Sequence, residues 1–445
     1  MESGESIQGQ GLIRQQETRF RIRSRISLKR QAAQIFARMA GLPISLRPHH
    51  ARLHLPAAVV RLAYRRRFWA FRNASELVEL VAGLFLAPVV LLVLSVWYLV
   101  KNGTLVAAHF HRPLHRQFAD HLRLYFGAGV LPPWYYIYEL YKQPLKRHAR
   151  GFIYRWESKN GVMALLKERR PPSSIVSDKI AFAEHCRTAG IPTVPVIGIA
   201  RDGQVRWLDE KARHGDWFVK PVDGKGGKGI ELWVRVDPNR LCSATGQVVE
   251  ESELIRRLAE QSLTKPCLIQ PRIQNHPRLG DLCNGALATV RALTCLNEAG
   301  KPELVGAVLR MAIGGNHVVD NLHAGGIAAG IELGTGLVGR ATNLGSDVRL
   351  GWLDRHPTTG ALITGRRLPF GDRIRPFAVR AHRAFSDRVL VGWDIAIATK
   401  GLVLVEANGA PDLDIMQRSC QRGLMRERLG ELLAHHLRNE ARAAA

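Results

Sequence analysis

Cysteine is scarce in this 445-residue chain, and the six cysteines are scattered with no CxxC pair among them. A disulfide-stabilised scaffold and a thiolate zinc site both need closely spaced cysteines. The sequence therefore excludes the first, argues against the second and favours a reducing cytosol. Hydrophobic residues make up 46% of the chain and charged residues 23%, which excludes wholesale disorder.

Acidic residues are also few, since 38 Asp and Glu accompany 64 Lys and Arg, and the net charge is +26. The basic excess is concentrated near the N-terminus. Residues 1–76 carry 15 basic and 4 acidic side chains, and residues 101–150 carry 8 and 2. Such a region suits a nucleic acid or an anionic membrane surface. A solvated basic arm without any partner is the simpler alternative.

One long uncharged run distinguishes between these partners. Leu80 to Val100 spans 21 residues, about the length that crosses the hydrocarbon core of a bilayer, and Trp97 and Tyr98 near its end are typical of the membrane interface. The run begins too far from Met1 to be a cleavable signal peptide. A buried core helix is the alternative, but 21 residues without a charge is long for one. We therefore favour membrane insertion.

The flanks of this run complicate its topology, because both are basic. The flanking basic residues are Arg65, Arg66, Arg67, Arg72, Lys101, Arg112 and Arg116. The positive-inside rule keeps both flanks in the cytoplasm, so we expect Pro88 to break the helix into a re-entrant hairpin. A second, aromatic-rich stretch, Leu124 to Tyr141, is expected to lie in the interface. We predict a protein on the cytoplasmic face of the cell membrane, bound to an anionic membrane surface and to no specific nucleic acid.

The remaining two thirds of the chain predict an α+β fold. A helix capped by Ser177 or Asp178 is ended by Gly190 and Pro192. Strands are predicted at Val194–Ile199, Val205–Leu208, Trp217–Lys220, Leu268–Gln270, Leu287–Leu296, Leu304–Ile313, Ala396–Ala398 and Leu402–Glu406. Further helices are predicted at Glu251–Glu260, Arg373–Val389 and Leu424–Asn439. Because helices alternate irregularly with hairpins, α+β is favoured over a doubly wound sheet.

A glycine-rich segment follows the strand that ends in Lys220. Residues 224–229 contain four glycines and two lysines, so their backbone can approach a polyphosphate and turn its N–H groups inward. Lys220 would add a positive charge on the phosphates. The segment lacks the GK[ST] of a Walker A loop and the order GxGxxG. A hairpin turn with exposed lysines is the alternative.

A hairpin near the C-terminus supports the phosphate-binding interpretation. If Lys400 is the centre of the turn, antiparallel pairing places Asp394 opposite Glu406, with Asn408 two residues further along the same face. Two carboxylates and an amide oxygen on one face suit Mg²⁺ shared with substrate phosphates. A bulge near the turn would shift this register by one residue.

Four separated motifs together resemble the ATP-grasp superfamily. They are DK before GIP, VKP with the glycine-rich loop, a pair of Arg-bearing strands, and WD followed by VLVEANGAP. The sequence is most similar to the sugar-transfer-associated proteins related to α-L-glutamate ligases. The resemblance covers Ser177 to Gln417 and implies two α+β lobes with ATP between them.

The resemblance also implies functional residues, with ATP and two Mg²⁺ ions as cofactors and Mn²⁺ as an alternative metal. The implied ATP-binding residues are Lys179, Lys220, Gly226, Gly227, Gly229, Gln270 and Ile273. The implied metal ligands are Asp394, Glu406 and Asn408, and the implied catalytic residues are Arg291, Arg310 and Asn321. The predicted hinge, Gln270–Ile273, departs from the family because its residues Gln270-Pro271-Arg272 lack the acidic residue that often binds the ribose. His276, His317 and His323 lie near these motifs, and a structural role is the simpler interpretation for them.

The chain is thereby divided into a basic N-terminal region (1–76), a membrane-associated helical region (77–150), a linker (151–176), an ATP-grasp catalytic domain (177–430) and a C-terminal tail (431–445). The family's usual N-terminal substrate lobe is not recognisable before Ser177. The resemblance implies a carboxylate–amine ligase that acts through an acyl phosphate. With the apolar run, it suggests a glycan- or lipid-linked substrate in polysaccharide or cell-envelope biosynthesis. Alternatives are an ATP-grasp kinase acting on a small molecule or sugar, and a membrane- or nucleic-acid-binding protein with a vestigial ATP site.

Overall fold

The computed structural model describes residues 32–43, 55–71, 73–168, 174–222, 229–315, 317–318, 320, 322 and 325–443. Most of the basic N-terminal region predicted from the sequence lies outside these ranges. The predicted sites Gly226, Gly227 and Asn321, and His323 beside them, also lie outside the described residues.

Among the described residues, helices account for all regular structure before residue 190, and further helices accompany both sheets. The α-helices are α1 (32–43), α2 (Pro56–Trp69), α3 (Ala74–Tyr98), α4 (Thr104–Phe110), α5 (Leu114–Ala128), α6 (Pro132–Ile137), α7 (Gln143–Arg147), α8 (Met163–Glu168), α9 (Ser174–Ser177), α10 (Lys179–Thr188), α11 (Glu210–Arg213), α12 (Glu251–Ser262), α13 (Gly371–Ala384), α14 (Asp414–Cys420) and α15 (Arg428–Ala443). Two π-helical segments, Leu99–Gly103 and Glu157–Val162, and three 3₁₀ turns, Ala149–Gly151, Pro277–Leu282 and Leu424–Arg426, complete the set described.

The strands form two sheets in which every paired strand is antiparallel. The first seven strands are β1 (Gly198–Arg201), β2 (Gln204–Trp207), β3 (Trp217–Pro221), β4 (Glu231–Asp237), β5 (Arg240–Ser243), β6 (Val248–Glu250) and β7 (Cys267–Pro271). The others are β8 (Thr289–Leu296), β9 (Pro302–Met311), β10 (Ile327–Ile331), β11 (Val338–Thr342), β12 (Trp352–Leu353), β13 (Leu390–Ala398) and β14 (Gly401–Asn408). The strand orders are β2-β1-β7-β3-β4-β5-β6 and β12-β11-β10-β9-β8-β13-β14. The α+β prediction is confirmed.

The predicted start and end of α10 are observed. The Asp178 carboxylate accepts hydrogen bonds from the backbone N–H groups of Ile180 (2.8 Å) and Ala181 (3.1 Å), which would otherwise have no partner in the first turn. Gly190 follows the helix with a φ of +64°, a conformation that glycine adopts without strain. The cap explains why α10 begins at Lys179, one of the predicted ATP-binding residues.

The second sheet is covered on both faces. Alternate residues of β8 point to opposite sides, so that Val290 and Ala292 pack with α13, whereas Leu293 and Cys295 pack with α15 and α2. Such alternation is what a strand buried on both faces requires. Arg291 and Asp394 belong to the second of these faces, because they share strand parity with Leu293 and Leu390. The helical N-terminal region therefore packs against the sheet face that carries the predicted site.

Residues 151–168, within the predicted linker 151–176, are helical over much of their length and packed against the rest of the chain. Phe152, Ile153, Tyr154 and Trp156 are all buried. Gln417 of α14 accepts a hydrogen bond from the backbone N–H of Ile153 and donates one to its carbonyl oxygen, at 2.8 and 2.9 Å. At the other end of the chain, residues 431–443 of the predicted tail lie within α15, whose Leu432, Leu433 and Leu437 are buried.

Two predictions about the apolar region are wrong. Helix α3 continues through Pro88 instead of turning back. The aromatic stretch around Trp134 is not interfacial, because Trp134, Tyr135, Tyr136, Tyr138 and Tyr141 are all buried. Their polar groups find partners inside the protein, as Tyr136 does in donating to Gln117 at 2.9 Å, and such pairing makes their burial favourable.

Residues Ala74–Phe110 form a nearly continuous helical stretch of 37 residues. Within the described part of the chain it is the one helix long and apolar enough to cross a membrane, judged by length and composition alone. The stretch is 28% buried over its most apolar window. Such a helix is weak evidence for a membrane span.

Asp414 joins the N-terminal helices to the part of the chain that contains the two sheets. Its carboxylate accepts hydrogen bonds from the Tyr138 hydroxyl (2.6 Å) and the Trp134 indole N–H (3.3 Å). Burial and the neighbouring Asp412 carboxylate raise the pKa of Asp414 to about 6, although these two hydrogen bonds oppose the shift. Because the folded pKa lies above the ordinary value of 3.8, the folded state binds more protons between these values. Stability is therefore lost as the pH rises through 6.

We predict that Asp414→Asn reduces this loss of stability. Asparagine retains an oxygen acceptor for Tyr138 and Trp134 but does not ionise. Between about pH 5 and about pH 8, the free energy of unfolding of the wild-type protein should fall by about 1.4 kcal/mol more than that of the variant. Denaturant titrations at the two pH values measure this difference. Asp202→Asn, in an exposed turn, is the matched control and should follow the wild type. Parallel profiles for wild type and Asp414→Asn would contradict the assignment.

Candidate active site

A cavity of about 440 Å³ is lined by both sheets and by the segment that precedes α8. Eight of the predicted site residues line it: Lys220, Gln270, Ile273, Arg291, Arg310, Asp394, Glu406 and Asn408. The first sheet contributes Lys220 from β3 and Gln270 from β7, which are neighbouring strands. The second sheet contributes the two arginines and the three predicted metal ligands. The structure thus brings together residues separated by up to 188 positions in the sequence.

The hairpin of β13 and β14 pairs Asp394 with Glu406, as predicted, but through a different turn. Ala398 pairs with Gly401, so the turn consists of Thr399 and Lys400 and is not centred on Lys400. A bulge next to Asp394 then inserts Val405 as an extra residue in β14 and moves the register by one. The two differences cancel at the site. Asn408 lies opposite Gly392, on the same face as Glu406.

Asp394 lies at the centre of a buried ion-pair network. The Arg291 guanidinium donates to both Asp394 oxygens, one of them through Nη2 to Oδ2 at 3.0 Å. Nη2 of Arg310 lies 3.1 Å from the same Oδ2. Although burial acts to raise the pKa of Asp394, the charges of Arg291 and Arg310 outweigh it and hold that pKa below its ordinary value. The carboxylate therefore stays ionised, as a metal ligand must.

Sequence reasoning missed two members of this network, Thr289 and Asp320. The Thr289 hydroxyl donates to Asp320 Oδ2 at 2.5 Å and accepts from Arg310 Nη2 at 2.6 Å. Arg310 Nη2 also lies 3.2 Å from Asp320 Oδ1. Thr289 is the residue that pairs with Arg310 across β8 and β9, so strand pairing could have revealed it. Asp320 lies in an irregular segment, and no motif in the sequence marks it.

Glu406 and Lys220 shift each other's ionisation. Burial raises the pKa of Glu406, the nearby Asp394 carboxylate adds to that effect, and Lys220 and Lys179 oppose it. Burial also lowers the pKa of Lys220, to about 8, against the attraction of Glu406. Both shifts reflect charged groups removed from water in a site whose own charges only partly compensate them. A phosphate near Lys220, or a cation near Glu406, would favour the charged form of each.

Lys179 and Gly229 lie at the C-terminal end of β3. The Lys179 ammonium donates to the carbonyl oxygens of Pro221 (3.1 Å) and Val222 (2.7 Å), where the glycine-rich segment begins. Gly229, at its far end, has a φ of +71°, and an added Cβ would come within 3.1 Å of Pro221. A side chain there would be strained, so this position requires glycine.

Of the four residues of the predicted adenine hinge, Gln270–Ile273, one is buried and three are partly exposed. Gln270 is buried, and its amide N–H donates to the Val194 carbonyl oxygen at 2.9 Å. Ile273 and Arg272 line the cavity, and Arg272 lies 3.6 Å from Asp216. His317 also lines the cavity, and its Nδ1 is 2.8 Å from the Asn284 carbonyl oxygen.

The oxygen donors of the hairpin suit a magnesium ion. Glu406, Asp394 and the Asn408 amide face one side of the hairpin, and carboxylate and amide oxygens are the ligands that Mg²⁺ prefers. Three arginine nitrogens already approach the Asp394 oxygens, which leaves about one of the four acceptor positions of an ionised carboxylate. In the described residues no group of three or more His, Cys, Asp or Glu could hold a metal. The three oxygen donors of the hairpin fill only part of the octahedral shell of Mg²⁺, so the arrangement fits a metal shared with substrate phosphates.

Three further charged residues line the cavity without having been predicted. Arg155 and Lys159 come from the segment before α8, and Asp412 follows the hairpin by four residues. Arg155 Nη1 is 3.1 Å and Lys159 Nζ 3.8 Å from Asp412 Oδ2. Asp412 directly follows the motif that ends in Pro411, so its position in the sequence could have identified it as a residue of the site. Nothing in the sequence relates it to basic residues more than 250 positions away.

Comparison with known proteins identifies a family whose model matches much of this chain. Residues 165–431 match the family model described as "Sugar-transfer associated ATP-grasp". No curated protein matches the chain.

Solved structures similar to this chain are ATP-grasp enzymes of low identity. The ATP-grasp ligase PsnB, complexed with minimal precursor, Mg and ADP, is 15% identical over 61% of this chain and 61% of its own, with a TM-score of 0.32. D-alanyl-alanine synthetase A from Vibrio cholerae is 12% identical over 60% and 66%, with a TM-score of 0.36. D-alanine–D-alanine ligase from Bacillus anthracis, complexed with ATP, is 12% identical over 60% and 69%, with a TM-score of 0.35. The chain covers less than two thirds of the length of the first two.

We predict that Asp394→Asn destabilises the fold markedly. The substitution leaves the buried Arg291 guanidinium without a carboxylate, and breaking one partner of a buried pair costs about 3–5 kcal/mol. Urea unfolding of the two proteins measures the loss. Glu253→Gln, which breaks an exposed pair with Arg256, is the control and should stay close to the wild type. An Asp394→Asn protein as stable as the control would show that Asp394 does not hold the network together.

Proposed function

This chain belongs to the sugar-transfer-associated ATP-grasp family, and we propose that it is an ATP-dependent ligase joining a carboxylate to an amine through an acyl phosphate. The observation that carries the proposal is that Lys220, Arg291, Arg310 and the oxygen donors Asp394 and Glu406 all line the same cavity. Lysine and arginine side chains suit the phosphates of ATP and the transferred phosphoryl group. The opposed carboxylates suit the metal that accompanies ATP.

The residues of the cavity match the needs of this reaction. A carboxylate is a poor electrophile, and phosphorylation by ATP converts it into an acyl phosphate that an amine attacks, with inorganic phosphate leaving. The protein must position the reactants and stabilise the charge spread over the transferred group. We assign the phosphates to Lys220 and Lys179, and the oxygens of the reacting carboxylate to Arg291 and Arg310. Two Mg²⁺ ions held by Asp394, Glu406 and Asn408, or Mn²⁺ in their place, would offset the phosphate charge.

The apolar surface of α3 supports a position at the cytoplasmic face of the cell membrane. A narrow stripe of the helix, including Leu80, Ala87 and Leu91, packs on the protein. The other sides expose large apolar side chains: Leu77, Val78, Val81, Leu84, Phe85, Leu86, Val89, Leu92, Val93, Val96 and Trp97. An apolar surface of this extent on one helix is typical of contact with lipid. We propose that α3 lies in the membrane with these sides toward the hydrocarbon.

Basic residues next to this surface suit anionic headgroups. Arg112, Arg116 and Arg123 line a cavity on α5, together with His115, and Leu114 and Phe126 of the same helix are exposed. Exposed apolar residues beside a basic helix face favour the surface of an anionic bilayer. A ligase held there would meet glycan- or lipid-linked precursors of polysaccharide or cell-envelope synthesis, and we propose one as its substrate.

We predict that Glu406→Ala and Lys220→Ala impair ATP handling in different ways. Glu406→Ala should remove the Mg²⁺ dependence of ATP binding and lower ATP turnover on the order of 10³-fold or more, because several kcal/mol of transition-state stabilisation are lost. Lys220→Ala should weaken ATP binding and keep its Mg²⁺ dependence. Calorimetric ATP titrations with and without Mg²⁺ and an ATP hydrolysis assay measure both.

The control for these variants is Glu332→Ala, which removes an exposed carboxylate outside the cavity. It should bind and hydrolyse ATP as the wild type does. Normal Mg²⁺-dependent turnover by a folded Glu406→Ala protein would refute the metal site. Amide formation that requires an added amine would distinguish a ligase from a kinase.

We predict that lysines on the exposed side of α3 release the protein from membranes. The triple variant Phe85→Lys, Val89→Lys, Val93→Lys should move from the membrane fraction to the soluble fraction after lysis without detergent, because charges are costly in hydrocarbon. Val236→Lys, Val248→Lys, Leu263→Lys is the matched control. Its residues are similarly exposed and apolar, and it should fractionate as the wild type does. Wild-type protein that is soluble without detergent would contradict the membrane proposal.

A further inference from the structure

The segment before α8 forms one wall of the cavity, although all of it precedes the region that matches the family model. The match begins at residue 165, whereas Arg155 and Lys159 line the cavity beside Asp394 and Asn408. This wall arises from sheet packing. Ile153, Val162 and Met163 pack in the same apolar cluster as Leu293 and Val308. Arg291 and Arg310 continue that face of β8 and β9 into the cavity.

The backbone that carries Arg155 and Lys159 is held in place. Glu157 is buried and accepts hydrogen bonds from Arg61 Nε (3.0 Å) and from the backbone N–H of Tyr154 (3.0 Å). Tyr154 and Trp156 are buried on either side of Arg155. Lys159 lies in the π-helical segment Glu157–Val162, a feature frequent at functional sites. Two basic side chains are thus directed into the cavity from an otherwise buried and hydrogen-bonded segment.

Positively charged side chains outnumber carboxylates at this wall. Arg155 and Lys159 both approach one oxygen of one carboxylate, Oδ2 of Asp412. Around the whole cavity, six Lys and Arg side chains face four carboxylates. The side chains of Arg155 and Lys159 remain 42% and 33% exposed, so both can reach a bound molecule. Burial, and after it the charges of Arg155 and Arg291, lower the pKa of Lys159 against the attraction of Asp412 and Asp414.

We propose that Arg155 and Lys159 bind a second oxyanion of the substrate, a carboxylate or phosphate distinct from the carboxylate that reacts. The inference rests on the proposed ligase function, in which Lys179 and Lys220 serve the ATP phosphates and Arg291 and Arg310 the reacting group. A planar guanidinium and an ammonium on one wall suit such a group. The helical N-terminal region thereby supplies substrate recognition, in addition to its contact with the membrane. The substrate class is an acid that carries a further negative group.

The experiment uses the full-length protein in detergent, saturated with Mg²⁺ and a non-hydrolysable ATP analogue so that the γ-phosphate position is filled. Inorganic phosphate and succinate are then titrated separately by calorimetry. We expect at least one of them to bind the wild-type complex. Arg155→Gln and Lys159→Gln should each weaken that binding about tenfold, as expected for the loss of one charge-assisted hydrogen bond. Both variants should bind the ATP analogue as the wild type does.

The control is Arg256→Gln, which removes an arginine from an exposed ion pair with Glu253; it should bind the anion normally. Arg155→Lys, which keeps the charge, should recover part of the affinity. If neither anion binds the nucleotide-loaded wild type, or if the glutamine variants bind it equally well, the second-oxyanion site is refuted. If the wild type fails to bind the Mg²⁺–nucleotide complex at all, the proposed function itself fails. The two failures are therefore distinguishable.

Discussion

The buried ion pair between Asp394 and Arg291 is the interaction on which the site depends. It joins two neighbouring strands, β13 and β8, and the adjoining strands extend it, with Arg310 on one side and Glu406 on the other. Four strands thus place one row of charged side chains on a single sheet face. Charges buried in this way are tolerated only when each has a partner. The network therefore keeps Asp394 ionised before any substrate arrives, because the charges of Arg291 and Arg310 hold its pKa below the ordinary value.

The same sheet face explains why the helical N-terminal region belongs to the site. One end of the face is covered by α2, α15 and residues 151–168, and the other end opens into the cavity. Asp414 and Arg418 secure this packing, since Arg418 donates to the Ile137 carbonyl oxygen at 2.6 Å and Asp414 accepts from Tyr138.

The hairpin shows how a sequence argument can reach the right pair through a wrong step. Antiparallel pairing and the alternation of side chains were enough to place Asp394 opposite Glu406. The predicted centre of the turn, Lys400, lies half a residue beyond the observed centre between Thr399 and Lys400, and the bulge at Val405 compensates for this difference. Neither detail leaves a signal in the sequence, because both depend on how β14 packs against the rest of the sheet. The prediction that the aromatic residues around Trp134 lie in the membrane interface was wrong for a related reason. Amphipathic composition does not show whether a surface contacts lipid or protein.

The sequence by itself determined the α+β class, the family, the strand that carries Lys220 and the acidic hairpin, because local periodicity and short-range pairing are properties of neighbouring residues. It also determined the apolar character of α3. Only the tertiary structure decided which distant residues share the cavity. Thr289 and Asp320 complete the arginine network, and Arg155 and Lys159 approach Asp412 across more than 250 residues. Such contacts arise from the packing of one sheet face against helices from the other end of the chain, which no local pattern encodes.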